Sequence, residues 1–281
     1  MSAVLVAAAL RHTDPRAGAD PLTGRIHHDP YAGGASAADR CALEHALRLA
    51  RALGARCLAV TVGGAEADAT LREALAAGAD EVLRVEGPDT DGAGTARTLF
   101  DGLVARGGPL PDVILCGDRS TDRGTGTVPA YLAHLTGASQ ALGLTELVVE
   151  EGELRASRRL DAGRRELLAL TLPAVCSVEP SGPRLRRAPL PATLAARTAP
   201  VPVVAVTTAP DIAVTAGPPR PYRPRPRVLP APHGEQPRER LLALTGAGAP
   251  PRTPPRVATP ATPAEAAELL LEYLRERSYL P

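Results

Sequence analysis

The segment from residue 117 to residue 127 carries the densest set of side chains that could bind a ligand. It follows the apolar run at residues 113–116 and mixes glycines with hydroxyl and charged side chains. Glycines let a backbone approach a ligand closely, and hydroxyl and N–H groups can donate to phosphate oxygens. The segment therefore predicts a phosphate-binding loop, with an ordinary strand-to-helix loop capped by Thr125 or Thr127 as the alternative. Its spacing fits neither GxGxxG nor GxxxxGK[ST], so an ordinary Rossmann or P-loop site is not indicated.

Other reactive side chains give weaker signals. His27, His28 and Asp29 could ligate a metal, but no further ligand cluster accompanies them, so a solvated loop is favoured. Four arginines flank a predicted hairpin turn, where a solvated rim is expected and a guanidinium facing an anionic flavin or phosphate is the alternative. These are Arg158, Arg159, Arg164 and Arg165.

Three further polar side chains lie on predicted helices. Glu44, His45 and His134 are interpreted as surface or hydrogen-bonded residues. No nucleophile, base and orienting group form a recognisable catalytic set in the sequence. We therefore predict no catalytic residues and no metal site.

The composition excludes several classes of function. The sequence has no lysine, so its 32 basic residues are all arginine, and Schiff-base and P-loop lysine chemistry is ruled out. The 31 acidic residues balance the basic ones, so neither nucleic acid nor an anionic membrane is expected as the main partner. The four cysteines lack CxxC spacing and favour buried free thiols in a reducing cytoplasm. They are Cys41, Cys57, Cys116 and Cys176.

Strand and helix patterns alternate through the first 140 residues. The predicted strands are residues 4–9, 57–62, 82–85 and 113–116. The predicted helices are residues 36–53, 67–77, 95–105 and 127–135. Ser36 is a good N-cap for the first helix, and Gly54 ends it. Four successive strand–helix units predict a three-layer α/β fold, Rossmann-like, with helices on both faces of a parallel sheet.

The apolar start of the chain reads as the first of these strands. The run is too short to span a bilayer and leads directly into charged residues, so a signal peptide and stable membrane insertion are not expected.

In an open parallel sheet, ligands bind beyond the carboxyl ends of the strands. Residues 7–9, 62–64 and 117–127 are therefore expected to meet at one ligand site.

Strands follow at short spacing after residue 143. They are predicted at residues 146–149, 154–160, 166–171 and 174–178. Their short connections are hairpin-like, which predicts that antiparallel strands extend the sheet.

Proline is concentrated at the end of the chain. Seven of the 30 prolines lie in residues 1–170, and 16 lie between residues 200 and 260. This predicts a compact domain at residues 1–199 and a Pro-rich arm at residues 200–281, with short helices at residues 238–244 and 263–279. The last helix has an apolar face that needs a partner surface, and a disordered tail with a locally docked helix is the alternative.

The order of motifs resembles the beta subunit of electron transfer flavoprotein. The resemblance covers the chain from residue 1 to about residue 200, and its most specific parts are TLREALAAGAD and PDVILCGDRSTD. VLVA, ALEHALRLA and the LPAV–PR–LP series between residues 172 and 191 accompany them in the same order. The tail and the departures from the family pattern look most similar to the actinobacterial subgroup associated with mycofactocin.

The resemblance implies an electron carrier subunit rather than an enzyme. It implies a heterodimer with an alpha subunit, which shuttles electrons from flavin-dependent dehydrogenases to a downstream acceptor. The family holds FAD mainly in alpha and a structural AMP in beta. The resemblance also implies a docking loop at residues 188–196 with Leu190 as its anchor, and an arm that wraps the alpha subunit. A minor core contact is the alternative role of Leu190.

The AMP contacts of the family carry over to the ends of the predicted strands and to the start of the first helix. The positions are Ala8 (or Ala7), Ser36, Ala37, Ala38, Asp39, Val62, Gly117, Asp118, Arg119, Ser120, Thr121, Asp122, Arg123, Gly124, Thr125, Gly126, Thr127 and Val128.

Departures from the family pattern leave two alternatives open. Of the Asn-Pro-Phe-Asp-Glu start of the first helix only the acidic position, Asp39, is kept, and Arg159 replaces a usual acidic residue. One alternative is a stand-alone adenine-nucleotide sensor or hydrolase of the same fold. The other is a bifurcating form that carries a second FAD in place of AMP.

Overall fold

The computed structural model describes residues 4–29, 32–207, 231, 234–246 and 257–280. The chain divides into two units, residues 1–222 and residues 223–281. Within the described residues, no helix is both long and apolar enough to cross a membrane.

The first unit is built on a nine-stranded sheet. Its strands in chain order are β1 (Leu5–Leu10), β2 (Arg56–Val62), β3 (Glu81–Glu86), β4 (Val113–Gly117), β5 (Ser139–Glu150), β6 (Glu153–Arg159), β7 (Arg165–Leu170), β8 (Ala174–Val178) and β9 (Val203–Ala205). The spatial order is β7-β6-β5-β8-β4-β1-β2-β3-β9. All pairs from β5 through β9 in this order are parallel, and β5, β6 and β7 are joined antiparallel.

Helices cover both faces of this sheet. They are α1 (Ala37–Leu53), α2 (Asp68–Ala77), α3 (Gly92–Ala105), α4 (Val128–Thr136) and α5 (Leu190–Thr198). One apolar cluster joins α1 and α2 to the even-numbered residues of β1, and the other joins α3 and α4 to its odd-numbered residues. The α/β fold with helices on both sides of a mostly parallel sheet is therefore confirmed.

Helix α1 shows how local sequence sets an element. The Ser36 hydroxyl accepts a hydrogen bond from the Asp39 backbone N–H, and Gly54 ends the helix at a left-handed φ of 60°. A hydroxyl N-cap satisfies a donor that the helix leaves open, and glycine adopts positive φ without steric cost. Both ends of the helix agree with the sequence prediction.

The structure differs from the prediction at strand β8. We expected it to join the antiparallel extension, but it pairs parallel with both β4 and β5 inside the main sheet. Its partner in β5 is the stretch from Ser139 to Leu144, which lies before the residues predicted as a strand. Gly143 has a φ of 69° and interrupts the strand pattern there. The extension is therefore antiparallel only in β5, β6 and β7.

The chain around the predicted domain boundary forms regular structure. Residues predicted as a docking loop include α5, which starts at Leu190 and packs beside α2. Strand β9 lies beyond residue 199 and adds to the sheet edge beside β3. The division into a domain at residues 1–199 and an arm stays a prediction.

The described part of the second unit contains two helices, α6 (Pro237–Thr245) and α7 (Pro263–Glu276). They agree with the predicted helices at residues 238–244 and 263–279. Thr262 caps α7, and its hydroxyl accepts a hydrogen bond from the Glu265 backbone N–H. Most of the Pro-rich stretch predicted between them and before them lies outside the described residues.

Candidate functional site

A cleft opens at the carboxyl ends of β1, β2 and β4, where the sequence placed a ligand. It has an empty volume of about 620 Å³, part of which is open to solvent. Apolar side chains from the strand ends and from α3 and α4 line one part of it, and the loop after β4 lines the other. The apolar lining is Ala9, Leu10, Val62, Leu99, Cys116, Val128 and Pro129.

The loop after β4 approaches its neighbours so closely that glycine is required. A Cβ on Gly126 would lie 2.1 Å from the Asp118 carbonyl oxygen. A Cβ on Gly117 would lie 2.9 Å from Asp39 Oδ1 and 3.1 Å from the Ala38 Cβ. Because backbone cannot move aside as a flexible side chain can, Gly126 fixes the shape of the loop, and Gly117 lets α1 reach the strand end.

Backbone donors are available where this loop enters α4. The N–H groups of Thr125, Gly126, Thr127 and Val128 donate to no acceptor among the described residues. Thr127 is the N-cap residue, but its side chain accepts no capping hydrogen bond. Open N–H groups at a helix N-terminus favour an anion, and Arg119 and Arg123 add guanidinium groups to the same cleft.

The start of α1 is occupied by a carboxyl group of the protein. Asp39 is 6% exposed, and its carboxyl accepts a hydrogen bond of 2.7 Å from the Ser36 hydroxyl. Burial raises the pKa of Asp39 to about 6, against the opposing effect of hydrogen bonds from Ser36 and from the Gly117 and Arg11 backbones. Asp39 thus already uses backbone donors at the ends of β1 and β4, and the open N–H groups of the cleft lie at the start of α4.

A network of charged side chains joins three loops beside the cleft. The Arg11 guanidinium donates to Asp122 at 2.7 Å and to Asp89 at 3.1 Å. Arg123 pairs with Asp89 at 3.2 Å, and the Thr95 hydroxyl donates to Asp89 at 2.6 Å. Burial alone would raise the pKa of both carboxyls, but the hydrogen bonds from Arg11 hold the pKa of Asp89 and Asp122 below the usual range.

The predicted site residues divide into those that line the cleft and those that support it. Among the described residues, the lining includes Asp39, Val62, Gly117, Arg119, Ser120, Arg123, Thr125, Gly126 and Val128. The remaining predicted residues lie beside this lining without being part of it. They are Ala8, Ser36, Ala37, Ala38, Asp118, Thr121, Asp122, Gly124 and Thr127.

In the first strand, the residues that line the cleft follow Ala8, whose contact with a nucleotide stays a prediction. The Ala8 side chain belongs to the apolar cluster beneath α1, and the cleft is lined instead by Ala9, Leu10 and Arg11. Gly92 and Thr95, at the start of α3, also line the cleft and were missed. The Asp91 side chain accepts a hydrogen bond from the Gly94 backbone N–H, and this N-cap is the sequence signal that marks the start of α3.

The predicted docking residue lies on the surface of the first unit. The exposed fraction of Leu190 is 69%, and that of Leu194, one turn later on α5, is 52%. A core contact, which was the alternative role of Leu190, is therefore not present among the described residues.

The remaining candidates are mostly solvated. Arg158 pairs with Glu166, and Arg159 donates to Glu179 at 2.8 Å, so the hairpin arginines form a largely exposed rim. His27 and His28 are exposed, as is His134. Within the described part of the chain, no group of three or more His, Cys, Asp or Glu side chains could hold a metal ion.

Glu44 and His45 both lie inside the protein and not on its surface, and the alternative of a hydrogen-bonded side chain is confirmed for Glu44. Glu44 is 3% exposed and accepts hydrogen bonds from Arg186 and Arg48. His45 is 4% exposed, and neither of its ring nitrogens has a hydrogen-bond partner that meets the usual distance and angle limits among the described residues. The nearby Leu147 backbone acts to raise its pKa. Burial has the larger effect and lowers the pKa of His45.

All four cysteines are buried and unpaired, as the sequence predicted. Burial raises the pKa of Cys57 and of Cys176 to about 12. A thiol with so high a pKa is inert at neutral pH, so packing accounts for these residues.

Comparison with known proteins points to one family. The family model of the electron transfer flavoprotein domain matches residues 27–209. The electron transfer flavoprotein subunit beta of Chromohalobacter salexigens is 29% identical over 94% of this chain and 92% of its own length. That of Bacillus subtilis is 29% identical over 64% of this chain and 70% of its own length. That of Mycobacterium tuberculosis is 32% identical, but the aligned part spans only 45% of its length.

The match agrees with the geometry described above. The family model covers the strand ends β2 and β4 and the loop after β4, which together form much of the cleft. The relative from Chromohalobacter salexigens extends the similarity beyond these residues, to 94% of the chain. The chain belongs to the electron transfer flavoprotein family and is similar to its beta subunits.

Proposed function

We propose that this protein is the beta subunit of an electron transfer flavoprotein that binds a structural AMP and pairs with an alpha subunit holding most of the FAD. The heterodimer carries electrons from flavin-dependent dehydrogenases to a downstream acceptor. The redox chemistry comes from the bound flavin, so this chain acts as a carrier subunit and not as an enzyme. The family membership supports the electron-transfer role, and the cleft supports the nucleotide.

The observation that carries the nucleotide proposal is the division of the cleft into apolar and donor parts. Val62, Leu99 and Cys116 offer an apolar surface for an adenine ring. The open N–H groups before α4 and the guanidinium of Arg119 suit a phosphate. The chain from Gly117 to Val128 therefore binds the phosphate, and the strand ends hold the base.

The FAD would contact this chain through residues that the alpha subunit completes. Arg159 and Arg165 line a second, open groove with Arg48, and a guanidinium there stays charged at every physiological pH. An anionic flavin is stabilised by such a group.

Partner docking is proposed for α5. Leu190 and Leu194 are exposed at i and i+4, so they lie on the same side of the helix. Two apolar anchors on an exposed helix suit a small, rapidly exchanging contact with a dehydrogenase.

The second unit is proposed to hold the alpha subunit. Helix α7 exposes Leu270, Leu271 and Tyr273, and α6 exposes Leu241 and Leu244. Apolar side chains exposed on short helices mark an interaction surface.

The four buried free thiols suit a reducing compartment, and we propose the bacterial cytoplasm.

Co-expression of the full chain with its alpha subunit tests this function. We expect a 1:1 heterodimer that shows an oxidised flavin absorption spectrum and is reduced when a flavin-dependent dehydrogenase and its substrate are added. A truncation that ends after residue 222 is the matched variant, and it should weaken the heterodimer by removing α6 and α7.

Two results would contradict the proposal. A stable chain that remains monomeric and free of flavin in the presence of the alpha subunit would exclude the carrier role. A homodimer that binds and hydrolyses ATP would favour the stand-alone nucleotide protein instead.

A further inference from the structure

We propose that Arg11, Asp89, Asp122 and Arg123 form an ionic clasp that limits the nucleotide cleft to a nucleoside monophosphate. The inference rests on the proposed function, because it concerns which nucleotide the same cleft accepts. It separates a structural AMP from a longer ligand such as ADP or a second FAD.

The clasp connects loops that are distant in the sequence. Arg11 follows β1, Asp89 lies in the connection between β3 and α3, and Asp122 and Arg123 belong to the loop after β4. Arg11 donates three hydrogen bonds to Asp122 and one to Asp89. Arg123 contacts both the side chain and the carbonyl of Asp89. Side chains from three loops thus meet at one side of the cleft.

The clasp lies next to the phosphate-binding part of the cleft. Arg11 and Arg123 both line the cleft, and Asp122 precedes Arg123 within the loop that binds the phosphate. The exposed fractions of the Arg11, Asp89 and Asp122 side chains are 19%, 28% and 38%, so the network lies between the cleft and solvent. In the proposed binding mode, a ligand that continues past the first phosphate passes beside this network.

Charge opposes a second phosphate at this position. The two carboxylates of Asp89 and Asp122 would face it, and both arginines that neutralise them are already paired. A longer nucleotide must therefore break ion pairs and place anion beside anion, whereas a monophosphate leaves the clasp closed. The closed clasp also slows the release of the bound monophosphate.

Binding of AMP, ADP and FAD to the full chain, freed of nucleotide and measured by calorimetry, tests the clasp. The variant Arg11→Ala with Asp122→Asn opens it without changing the net charge. Arg155→Ala with Glu153→Gln removes an exposed ion pair of 3.1 Å on β6 and serves as the charge-neutral control. Thermal unfolding of each variant is recorded beside the binding data, and Asp89→Asn is a second opening variant if the first fails to fold.

We expect the unmodified chain and the control to bind AMP about tenfold or more tightly than ADP or FAD. In the opened variant this difference should shrink to about threefold or less, and AMP should dissociate faster. Equal affinity of the unmodified chain for AMP and FAD would overturn the inference, as would an opened variant that keeps the full difference. A chain that binds none of the three nucleotides would overturn the proposed function, and the clasp with it.

Discussion

Asp39 is the residue whose burial most affects the chemistry of the cleft. Its carboxyl closes the start of α1 and uses the donors of Ser36, Gly117 and Arg11 that a phosphate would otherwise take. Burial outweighs these hydrogen bonds and raises its pKa to about 6. The protonated form is therefore favoured by folding, in contrast to Asp89 and Asp122, whose pKa values are lowered.

This shift predicts how Asp39→Asn changes the pH dependence of stability. In the unfolded chain Asp39 ionises near pH 4, while in the folded chain it stays protonated to about pH 6. The unmodified protein therefore loses stability relative to the variant as pH rises from about 4 to about 6, by up to about 3 kcal/mol. Urea unfolding of both proteins across this range measures the difference, in which contributions of Asp89 and Asp122 cancel. A difference that does not change with pH would contradict the raised pKa.

At the residue scale, the sequence indicated the residues of the loop after β4 that line the cleft, but it did not indicate the ion pairs beside the cleft. Gly117, Ser120 and Gly126 were identified because they follow one another in a single loop. The pairing of Arg11 with Asp122 and Asp89 could not be found, since these residues are 111 and 78 positions apart. Only the topology of the sheet, which brings the ends of β1 and β4 together, makes them neighbours.

At the scale of elements, a substitution on the exposed side of α5 should affect partner recognition but not stability. We predict that Leu190→Ala changes the free energy of unfolding by less than about 0.5 kcal/mol, because the side chain is 69% exposed. The same change should slow reduction of the heterodimer's flavin by a dehydrogenase about tenfold, since an interface depends on a few apolar anchors. Stopped-flow reduction at limiting dehydrogenase measures the rate.

The control for this prediction is Leu22→Ala, which removes a leucine that is 84% exposed in a loop of the first unit. It should leave both stability and the rate of reduction unchanged. A Leu190→Ala variant that unfolds easily but is reduced at the normal rate would show that α5 is structural.

The elements themselves were predictable where periodicity and caps agree. Ser36 and Gly54 fixed both ends of α1, and apolar runs located β1, β2 and β4 within one residue at each end. The direction of β8 was not predictable, because a five-residue apolar strand fits parallel or antiparallel pairing equally well. Its position between β4 and β5 depends on pairing with the first residues of β5. Those residues were not recognised as a strand, because Gly143 interrupts the strand pattern there.

At the scale of the whole molecule, the chain combines an α/β unit, whose cleft we propose as a nucleotide site, with a second unit whose helices expose apolar side chains. Because the sequence has no lysine, an ion pair between side chains uses either arginine or histidine as its cation, and the clasp uses arginine. Arginine holds its charge and its geometry, so these contacts do not titrate at physiological pH. The central claim is that the first unit binds one AMP and contributes to a heterodimer with one FAD.

Chromatography of the nucleotides released from the denatured heterodimer, with each counted per heterodimer, tests that claim most directly. Gly126→Ala is the matched variant, because its Cβ would lie 2.1 Å from the Asp118 carbonyl oxygen in the loop proposed to bind the phosphate. Gly18→Ala is the control, since no atom lies within 4 Å of its Cβ. The account predicts one FAD and one AMP in the unmodified protein and in the control, and loss of AMP alone in Gly126→Ala. Two FAD molecules and no AMP in the unmodified protein would contradict it.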